Sequence, residues 1–289
     1  MRPFDYIAAA SADEAVALLA ENGEKARVLA GGTDLVVDLK HNAGDTNLLI
    51  DVSEVPEFRG IEETSEGVRL GSMTTFSEIM ASPIFQKKMP AVVDGAHTVG
   101  AVQTRNLGTI GGNFVTCVPS ADSAPSIMVL DATVTLTGPA GSREMPVADF
   151  FVGPRKTALQ PGELLESIFI PKASLGKPSA FLKHGLRKGQ ALALVNGAAA
   201  LWLDKAGNIV EPRLALGAVA PTPLRAVETE AFLEGKSPTD SVIDEAAEIA
   251  VSECRPIDDF RASANYRRGI IKVFTQRVLK ESIRIAQES

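Results

Sequence analysis

The fold of this chain depends on two stretches, Leu29-Ala30-Gly31-Gly32-Thr33-Asp34-Leu35 and Thr109-Ile110-Gly111-Gly112-Asn113. In each stretch a glycine pair follows an apolar run and leads into hydroxyl or amide side chains. Because glycine adopts positive φ and permits close backbone approach, successive N–H groups at such a pair can point into one concavity that binds phosphate oxygens. Two such concavities predict a ligand with two phosphates, such as a dinucleotide. Neither stretch has the spacing G-x-G-x-x-G or G-x-x-x-x-G-K-[ST] of the common nucleotide folds.

The first stretch adds the hydroxyl of Thr33 and the carboxylate of Asp34 to its backbone donors. Since a carboxylate repels phosphate, we interpret Asp34 as the cap of a helix that begins at Leu35, or as a residue that points away and orients the loop. Taken alone, Gly-Gly-Thr-Asp is also typical of an ordinary strand-turn-helix connection.

Beyond the second glycine pair, Asn113 and Thr116 supply side-chain donors. Asp122 supplies a carboxylate that could accept hydrogen bonds from sugar hydroxyls, as carboxylates do in other dinucleotide sites. The alternative is a tight turn followed by a Ser/Asp helix cap. The two stretches lie in separate units of one region, and a cleft between units is a common place for a ligand.

The composition is that of a globular protein with an acidic balance. Of the 289 residues, 45% are hydrophobic and 22% are charged, and the formal net charge is -7. This length is sufficient for two domains. The negative charge argues against nucleic acid as the main partner. The apolar run over residues 192–203 is too short to span a bilayer, and residues 1–5 lack an apolar signal core, which predicts a cytoplasmic protein.

Cysteine and histidine are too sparse for a metal site. Cys117 and Cys254 are the two cysteines of the sequence. An iron–sulfur cluster typically uses about four thiolates, so this chain cannot hold one. His41, His97 and His184 are scattered and form neither H-E-x-x-H nor a His/Cys cluster, and we therefore predict no metal site.

Hydrophobic periodicity and turn residues divide the chain into three parts. The order β-α-β-loop-α-β predicts a compact unit over residues 1–54, which is small enough to need packing against something larger. A second unit of strands and helices follows over residues 55–175. Residues 173–178 are the best boundary candidate, and the strands followed by helices over 176–289 predict helices packed on one face of an antiparallel sheet.

The individual elements follow from the same patterns. Strands are predicted at 4–7, 26–30, 47–52, 68–71, 133–137, 166–170, 180–186, 192–203, 209–210 and 213–219. Helices are predicted after the capping boxes at 11–14 and 75–78, and at 35–40, 90–99, 123–130, 226–233, 241–252 and 264–286.

The second stretch, extended to residues 103–113 (Gln-Thr-Arg-Asn-Leu-Gly-Thr-Ile-Gly-Gly-Asn), closely resembles the second flavin loop of a known family. This family comprises the FAD-binding medium subunits of the molybdenum hydroxylases, which include xanthine dehydrogenase and aerobic carbon monoxide dehydrogenase. Residues 29–35 resemble the family's first flavin loop, and residues 214–223 and 261–268 resemble its C-terminal domain. Within the family the chain is most similar to xanthine dehydrogenase subunits, through residues 120–124 and Gly153-Pro154.

The resemblance implies an α+β fold. Two subdomains would form an FAD-binding domain of the vanillyl-alcohol oxidase type over residues 1–175, and a smaller α+β domain with an antiparallel sheet and helices would follow over 176–289. The implied cofactor is FAD.

The resemblance also implies which residues bind FAD. The first loop would contribute Arg27, Val28, Leu29, Ala30, Gly31, Gly32, Thr33, Asp34 and Leu35. The second loop would contribute Thr109, Gly112, Asn113, Thr116 and Asp122, with Asp122 on the ribose side. Val99 and Leu165 would lie against the cofactor, and Lys183 matches a family position near the flavin ring. Without the resemblance, Lys183 reads as a solvated lysine on a strand.

One departure from the family concerns the face of the flavin. The only tyrosines are Tyr6 and Tyr266, so residues 183–196 offer no aromatic ring to stack on the flavin. Aliphatic side chains such as Leu192 or Leu194 are expected to line that face instead.

The resemblance implies an electron-transfer subunit of a multi-subunit hydroxylase with a purine or another N-heterocycle as substrate. A small iron–sulfur subunit would deliver electrons, a large molybdenum-cofactor subunit would oxidise the substrate, and FAD would pass the electrons to NAD+ or another acceptor. No catalytic side chain is expected, because the flavin carries the chemistry. One alternative is a stand-alone flavoenzyme that uses Lys183, His184 and Arg187. A second alternative is a non-catalytic scaffold with vestigial loops.

Overall fold

The computed structural model describes residues 3–41 and 45–288. Its strands are β1 Asp5–Ala8, β2 Ala26–Leu29, β3 Leu48–Asp51, β4 Ile61–Glu63, β5 Gly67–Gly71, β6 Thr133–Gly138, β7 Gly141–Pro146, β8 Phe151–Gly153, β9 Lys156–Thr157, β10 Leu164–Pro171, β11 Ser179–Gly185, β12 Ala193–Leu203, β13 Ile209–Gly217 and β14 Leu224–Arg225. Its α-helices are α1 Ala12–Asn22, α2 Leu35–His41, α3 Phe76–Ala81, α4 Pro83–Lys88, α5 Pro90–Thr98, α6 Val102–Leu107, α7 Ile110–Thr116, α8 Ser123–Met128, α9 Val147–Phe150, α10 Val227–Leu233, α11 Asp240–Glu253 and α12 Ala264–Glu288.

The N-terminal part is a three-stranded parallel sheet in the order β1-β3-β2. Helix α1 crosses from β1 to β2, and it begins as the sequence predicts. The hydroxyl of Ser11 accepts the backbone N–H of Glu14, and the Glu14 carboxylate accepts the N–H of Ala10. These two bonds satisfy backbone donors that the first helical turn leaves without partners. The first glycine pair follows β2 directly and leads into α2.

A second sheet has five antiparallel strands in the order β4-β5-β10-β6-β7. Helices α3, α4, α5, α7 and α8 share one hydrophobic core with it, in which Phe76, Phe85, Phe114 and Ile127 are all 2% exposed or less. Leu164 of β10 belongs to a different core, the one formed with α1, β2 and β3. The N-terminal sheet is therefore packed onto the end of the second sheet.

The C-terminal part has a four-stranded antiparallel sheet in the order β11-β12-β13-β14. Side chains alternate along its strands, so Ala199 and Leu201 pack toward α10, α11 and α12, whereas Ala198 and Ala200 pack toward the core that contains α5 and α8. Both faces are consequently buried, which explains why residues 193–201 are apolar without alternation, apart from Asn196. The predicted helices lie on one face as expected, and helices of the preceding region cover the other face.

Charged residues join the C-terminal sheet to the preceding region. The carboxylate of Asp131 accepts hydrogen bonds from Arg213 at 2.8 Å and from Arg225 at 3.1 Å. Although burial opposes its charge, the bonds from Arg213 and then Arg225 hold the pKa of Asp131 below its usual value.

The predicted α+β fold is confirmed, and several element predictions need correction. The two strands predicted at 209–210 and 213–219 form one strand, β13, because Glu211 adopts φ +48° and a bulge accommodates the missing N–H of Pro212. Helices α4, α6, α7 and α9 and the strands β4, β7, β8, β9 and β14 were not predicted. All of them have seven residues or fewer, too few for a periodic pattern to stand out.

Two further expectations can be compared with the structure. In the part of the chain that it describes, no helix is both long and apolar enough to cross a membrane. The division into domains at residues 54 and 175 stays a prediction. Residues 173–178 lie between the end of β10 and the start of β11.

Two helical glycines provide a matched test of the packing. A Cβ added to Gly111 in α7 would lie 2.5 Å from the Cβ of Ser72, whereas a Cβ added to Gly269 in α12 would meet nothing within 4 Å. We expect Gly111→Ala to lower the free energy of unfolding by about 1–3 kcal/mol through overpacking. Gly269→Ala should raise it by about 0.5–1 kcal/mol, since alanine favours the helix. Urea denaturation of both variants measures this, and equal stability of the two would contradict the close packing of α7 on Ser72.

Candidate functional site: a cleft between the two glycine pairs

A cleft of about 810 Å³ lies between the N-terminal sheet, the second sheet and the loop that joins β11 to β12. Both glycine pairs line it. Its volume is within the range of about 300–1,000 Å³ that is typical of ligand and cofactor sites. Its apolar walls include Leu19, Phe58, Val99 and Leu192. The fold therefore brings together two stretches that are far apart in the sequence.

The two stretches touch through their backbones. A Cβ added to Gly31 would lie 1.7 Å from the carbonyl oxygen of Leu107, so only glycine permits this approach. Next to this contact, a Cβ added to Gly108 would lie 3.5 Å from the Thr33 hydroxyl, and one added to Gly112 would lie 3.9 Å from the Cβ of Ala30. The first glycine of the first pair is thus required for the junction of the two cleft walls.

The first stretch leaves a run of backbone donors available. Gly32 adopts φ +69°, which turns the chain sharply between β2 and α2. The N–H groups of Gly31, Gly32, Thr33 and Asp34 have no hydrogen-bond acceptor among the residues that the structure describes. All four residues line the cleft. Successive unbonded N–H groups in such a turn are the arrangement that binds an anion, as the sequence predicts for this stretch.

The second stretch differs from the prediction. Gly111 and Gly112 lie in the first turn of α7, not in an open loop. The N–H of Gly111 donates to the carbonyl of Ser72 at 2.9 Å, and the N–H of Gly112 donates to the Thr109 hydroxyl at 3.0 Å. The predicted second set of free backbone donors is therefore wrong. The glycines allow α7 to pack closely on Ser72 and on the first stretch.

The side chains that follow the second pair have mixed roles. The hydroxyl of Thr116 donates to the carbonyl of Gly112 at 2.7 Å, within α7. The amide oxygen of Asn113 accepts the hydroxyl of Ser123 at 2.7 Å, which leaves the Asn113 NH₂ group without an acceptor among the described residues. Both residues line the cleft, so the Asn113 amide is the donor that this wall offers.

Asp122 and Lys183 form a buried ion pair behind this wall. The Lys183 ammonium donates to the Asp122 carboxylate at 2.5 Å and to the carbonyl of Thr98 at 3.0 Å. The second Asp122 oxygen accepts the amide of Asn196 at 2.9 Å. Burial raises the pKa of Asp122, while Lys183 and then Asn196 act in the opposite direction.

These bonds change the expectations for both residues of the pair. Lys183 has a side-chain exposure of 9%, so it is not a solvated lysine, and it does not line the cleft itself. Asp122 does line the cleft, but both of its oxygens already accept bonds from protein side chains. The predicted contacts of Asp122 with a ribose and of Lys183 with a flavin ring stay predictions.

Three of the acidic side chains that line the cleft are paired with cations. Besides Asp122, Asp38 pairs with Arg155 at 3.0 Å, and Glu163 pairs with Arg143 at 2.7 Å. Asp34 has no ion pair among the described residues. Its partial burial, together with the neighbouring charge of Asp38, raises its pKa. Paired carboxylates repel an incoming anion less than free ones do, because the cation compensates their charge.

Arg27 is an exposed cation of the cleft lining. Its guanidinium has no partner among the residues described. The predicted contact of Arg27 with the cofactor stays a prediction.

The remaining predicted residues divide between the cleft and its surroundings. The cleft lining includes Val28, Ala30, Leu35, Val99, Thr109, Leu165 and Leu192. Leu29 is absent from the lining, and so is Leu194, which is buried in β12. Arg155 lines the cleft but was not predicted, since it reaches the site only through its pairing with Asp38 across 117 positions of sequence. Nothing in the local sequence signals that contact.

Comparison with known proteins is consistent with this architecture. A family model described as "FAD binding domain in molybdopterin dehydrogenase" matches residues 2–173, and one described as "CO dehydrogenase flavoprotein C-terminal domain" matches residues 180–282. The chain is 33% identical to a putative xanthine dehydrogenase FAD-binding subunit of Escherichia coli K12, over 97% of this chain and 96% of that protein. It is 34% identical to the carbon monoxide dehydrogenase medium chain of Hydrogenophaga pseudoflava, over 96% of each chain.

A solved structure shows the same fold. It is the carbon monoxide dehydrogenase of Hydrogenophaga pseudoflava that lacks the Mo-pyranopterin moiety of its cofactor, and the TM-score is 0.94 with 33% identity over 98% of both chains. The fold and the cleft define an FAD-binding flavoprotein subunit. The chain belongs to the FAD-binding medium subunits of the molybdenum hydroxylases, the family of xanthine dehydrogenase and carbon monoxide dehydrogenase, and it is a subunit of an oxidoreductase with FAD as its cofactor. The resemblance seen in the sequence is thereby confirmed.

The ion pair behind the cleft wall can be tested by a double-mutant cycle. Lys183→Met leaves the Asp122 carboxylate buried without its cation and should cost about 3–5 kcal/mol in the free energy of unfolding. Adding Asp122→Asn should restore most of this loss, because no uncompensated charge remains. Urea denaturation of the two single variants and the double variant measures the coupling. Additive losses would show that the two side chains do not depend on each other.

Proposed function

We propose that this chain is the electron-transfer subunit of a multi-subunit molybdenum hydroxylase, with FAD held in the cleft between the two glycine-containing stretches. The observation that supports this most directly is the run of four unbonded N–H groups at residues 31–34, in a cleft of sufficient size. Bound FAD would supply the hydride and electron chemistry, and the protein supplies binding, orientation and electrostatics.

Each part of the cleft has a task in this proposal. The N–H groups of residues 31–34 and the Thr33 hydroxyl bind the diphosphate, and Arg27 balances its charge. The side-chain amide of Asn113 donates a hydrogen bond to the ligand from the opposite wall. The Asp122–Lys183 pair fixes the position of that wall. Val99, Leu165 and Leu192 exclude water from the apolar part of the ligand. Contacts of Val28, Ala30, Leu35, Thr109, Gly112 and Thr116 with FAD belong to the same proposal.

The remaining tasks are assigned to partner chains. With two cysteines, this chain cannot hold an iron–sulfur cluster. We infer that a small subunit carries such clusters and that a large subunit carries the molybdenum cofactor and the substrate site. Electrons would then pass through FAD to NAD+ or another acceptor. The substrate is therefore set by another chain, which agrees with relatives named for xanthine and for carbon monoxide.

The first test is the absorption spectrum and the activity of the purified chain. We expect flavin bands at near-equimolar occupancy after FAD is added, and no oxidation of a purine without partner chains. A chain that stays colourless with FAD would support a scaffold instead. Turnover of a purine by the single chain would support a stand-alone flavoenzyme that uses Lys183, His184 and Arg187. Either result would contradict the proposal.

A second test uses two glycines with positive φ. Gly32 has φ +69°, and an added Cβ would lie 3.1 Å from Leu29 and 3.2 Å from Val36. Gly207 has φ +82° in the turn between β12 and β13, with nothing within 4 Å of an added Cβ. Strain from an L side chain is common to both variants, but only Gly32→Ala displaces the donors of residues 31–34.

We expect Gly32→Ala to raise the dissociation constant for FAD about tenfold or more, which equals a loss of about 1.4 kcal/mol or more in binding free energy. Gly207→Ala should leave the affinity for FAD unchanged. Titration of the apoprotein with FAD, followed by flavin fluorescence, measures both dissociation constants. Equal affinities in the two variants would remove the first stretch from the site.

A further inference from the structure

The charges of the chain are unevenly distributed around the cleft. None of its 36 aspartates and glutamates falls within residues 95–121 or within residues 167–203. These two segments supply one end of the cleft, including Val99, Gly100 and Leu192. The carboxylate that follows the first segment, Asp122, is buried against Lys183. In a chain with a net charge of -7, the charged side chains within these two segments are therefore all basic.

Three basic side chains of these segments lie next to residues of the cleft lining along the chain or through a hydrogen bond, and we call Arg105, Arg187 and Lys188 the basic rim. A guanidinium nitrogen of Arg105 donates to the carbonyl of Val99 at 2.9 Å. The N–H of Gln190 donates to the next carbonyl, that of Gly100, at 3.1 Å, and Arg187 donates to the carbonyl of Gln190 at 2.8 Å. Arg105 and Arg187 are thus bonded to adjoining parts of the cleft lining.

The charges of the basic rim are not neutralised within the protein. The hydrogen bonds of Arg105 and Arg187 go to backbone carbonyls, and no ion pair joins the rim to a carboxylate among the residues described. Arg187 and Lys188 are exposed in the loop between β11 and β12, and the tip of this loop lines the cleft through Gln190, Ala191 and Leu192. Fixed positive charge at the mouth of a cleft concentrates anions there and accelerates their arrival.

We propose that the basic rim recruits a small anionic electron acceptor to this end of the cleft, and that it selects anionic acceptors over cationic ones. A phosphate-bearing nicotinamide dinucleotide is one member of this class. The inference rests on the proposed function, because it requires FAD in the cleft. It adds the charge of the acceptor and the residues that recognise it. The rim residues attract and position the acceptor and take no part in the transfer of electrons.

The test compares the FAD-loaded full chain with the variant Arg187→Gln/Lys188→Gln. The control variant Lys205→Gln/Arg277→Gln removes the same charge from exposed positions in the β12–β13 turn and on α12. The first measurement is quenching of flavin fluorescence by iodide, an anion, and by acrylamide, which is neutral, at constant ionic strength. We expect the rim variant to lower the iodide quenching constant about threefold or more without changing the acrylamide constant, because it weakens the local positive potential.

The second measurement is the oxidation of the dithionite-reduced protein by ferricyanide and by hexaamminecobalt(III). Two electrons leave the flavin, each reduces one metal complex, and the released protons enter the solvent. The rim variant should slow the ferricyanide reaction about fivefold or more at low salt and leave the hexaamminecobalt(III) reaction unchanged or faster. The control variant should alter neither reaction more than about twofold, because its charges lie away from the cleft.

The outcomes separate the two proposals. If iodide quenching and ferricyanide oxidation are the same in the rim variant and the control variant, the rim does not recruit anions and the inference is overturned. An equal loss with both metal complexes would also overturn it, because the effect would then not depend on charge. Failure of the unmodified chain to bind FAD would instead contradict the proposed function, and the rim inference would fall with it.

Discussion

The structure depends on the contact between the backbone of Gly31 and the carbonyl of Leu107. A Cβ at position 31 would lie 1.7 Å from that oxygen, so a side chain there would separate the N-terminal sheet from the segment that leads into α7. The two cleft walls are held in register by this approach. The position of the free N–H groups at residues 31–34 relative to Asn113 follows from it, as does the shape of the space between them.

The two glycine pairs are similar in sequence, but their backbone N–H groups are bonded differently in the structure. The first pair leaves a run of donors without acceptors, and the second pair caps and packs a helix. An anion held between them would therefore be bound asymmetrically, with most backbone donors on one side and a side-chain amide on the other. Most of the carboxylates in the cleft lining are paired with cations, and this pairing reduces their repulsion of an anionic ligand in an acidic chain.

The sequence allows much of the fold to be predicted, since strands, capping boxes and the long C-terminal helix carry local patterns. It also predicts that both glycine stretches lie at one cleft, and both of them line the cleft in the structure. It does not reveal that the N–H of Gly111 is already bonded to Ser72, because the acceptor comes from a separate strand connection. The Lys183–Asp122 pair spans 61 positions and the Arg155–Asp38 pair spans 117, and no local pattern encodes such contacts. Short helices such as α6 and α7 escaped prediction for a different reason, namely too few turns to show a period.

The burial of both faces of the C-terminal sheet restricts how this protein can move. Alanines at 198 and 200 on one side and at 199 on the other set a close spacing between the strands and the helices that flank them. Because layers packed this closely interdigitate, a rotation of the sheet against its flanking helices would disrupt many side-chain contacts. The sheet therefore holds α5 and α8 on one face and α10, α11 and α12 on the other as one packed unit, so the parts on either side of it are expected to keep a fixed orientation.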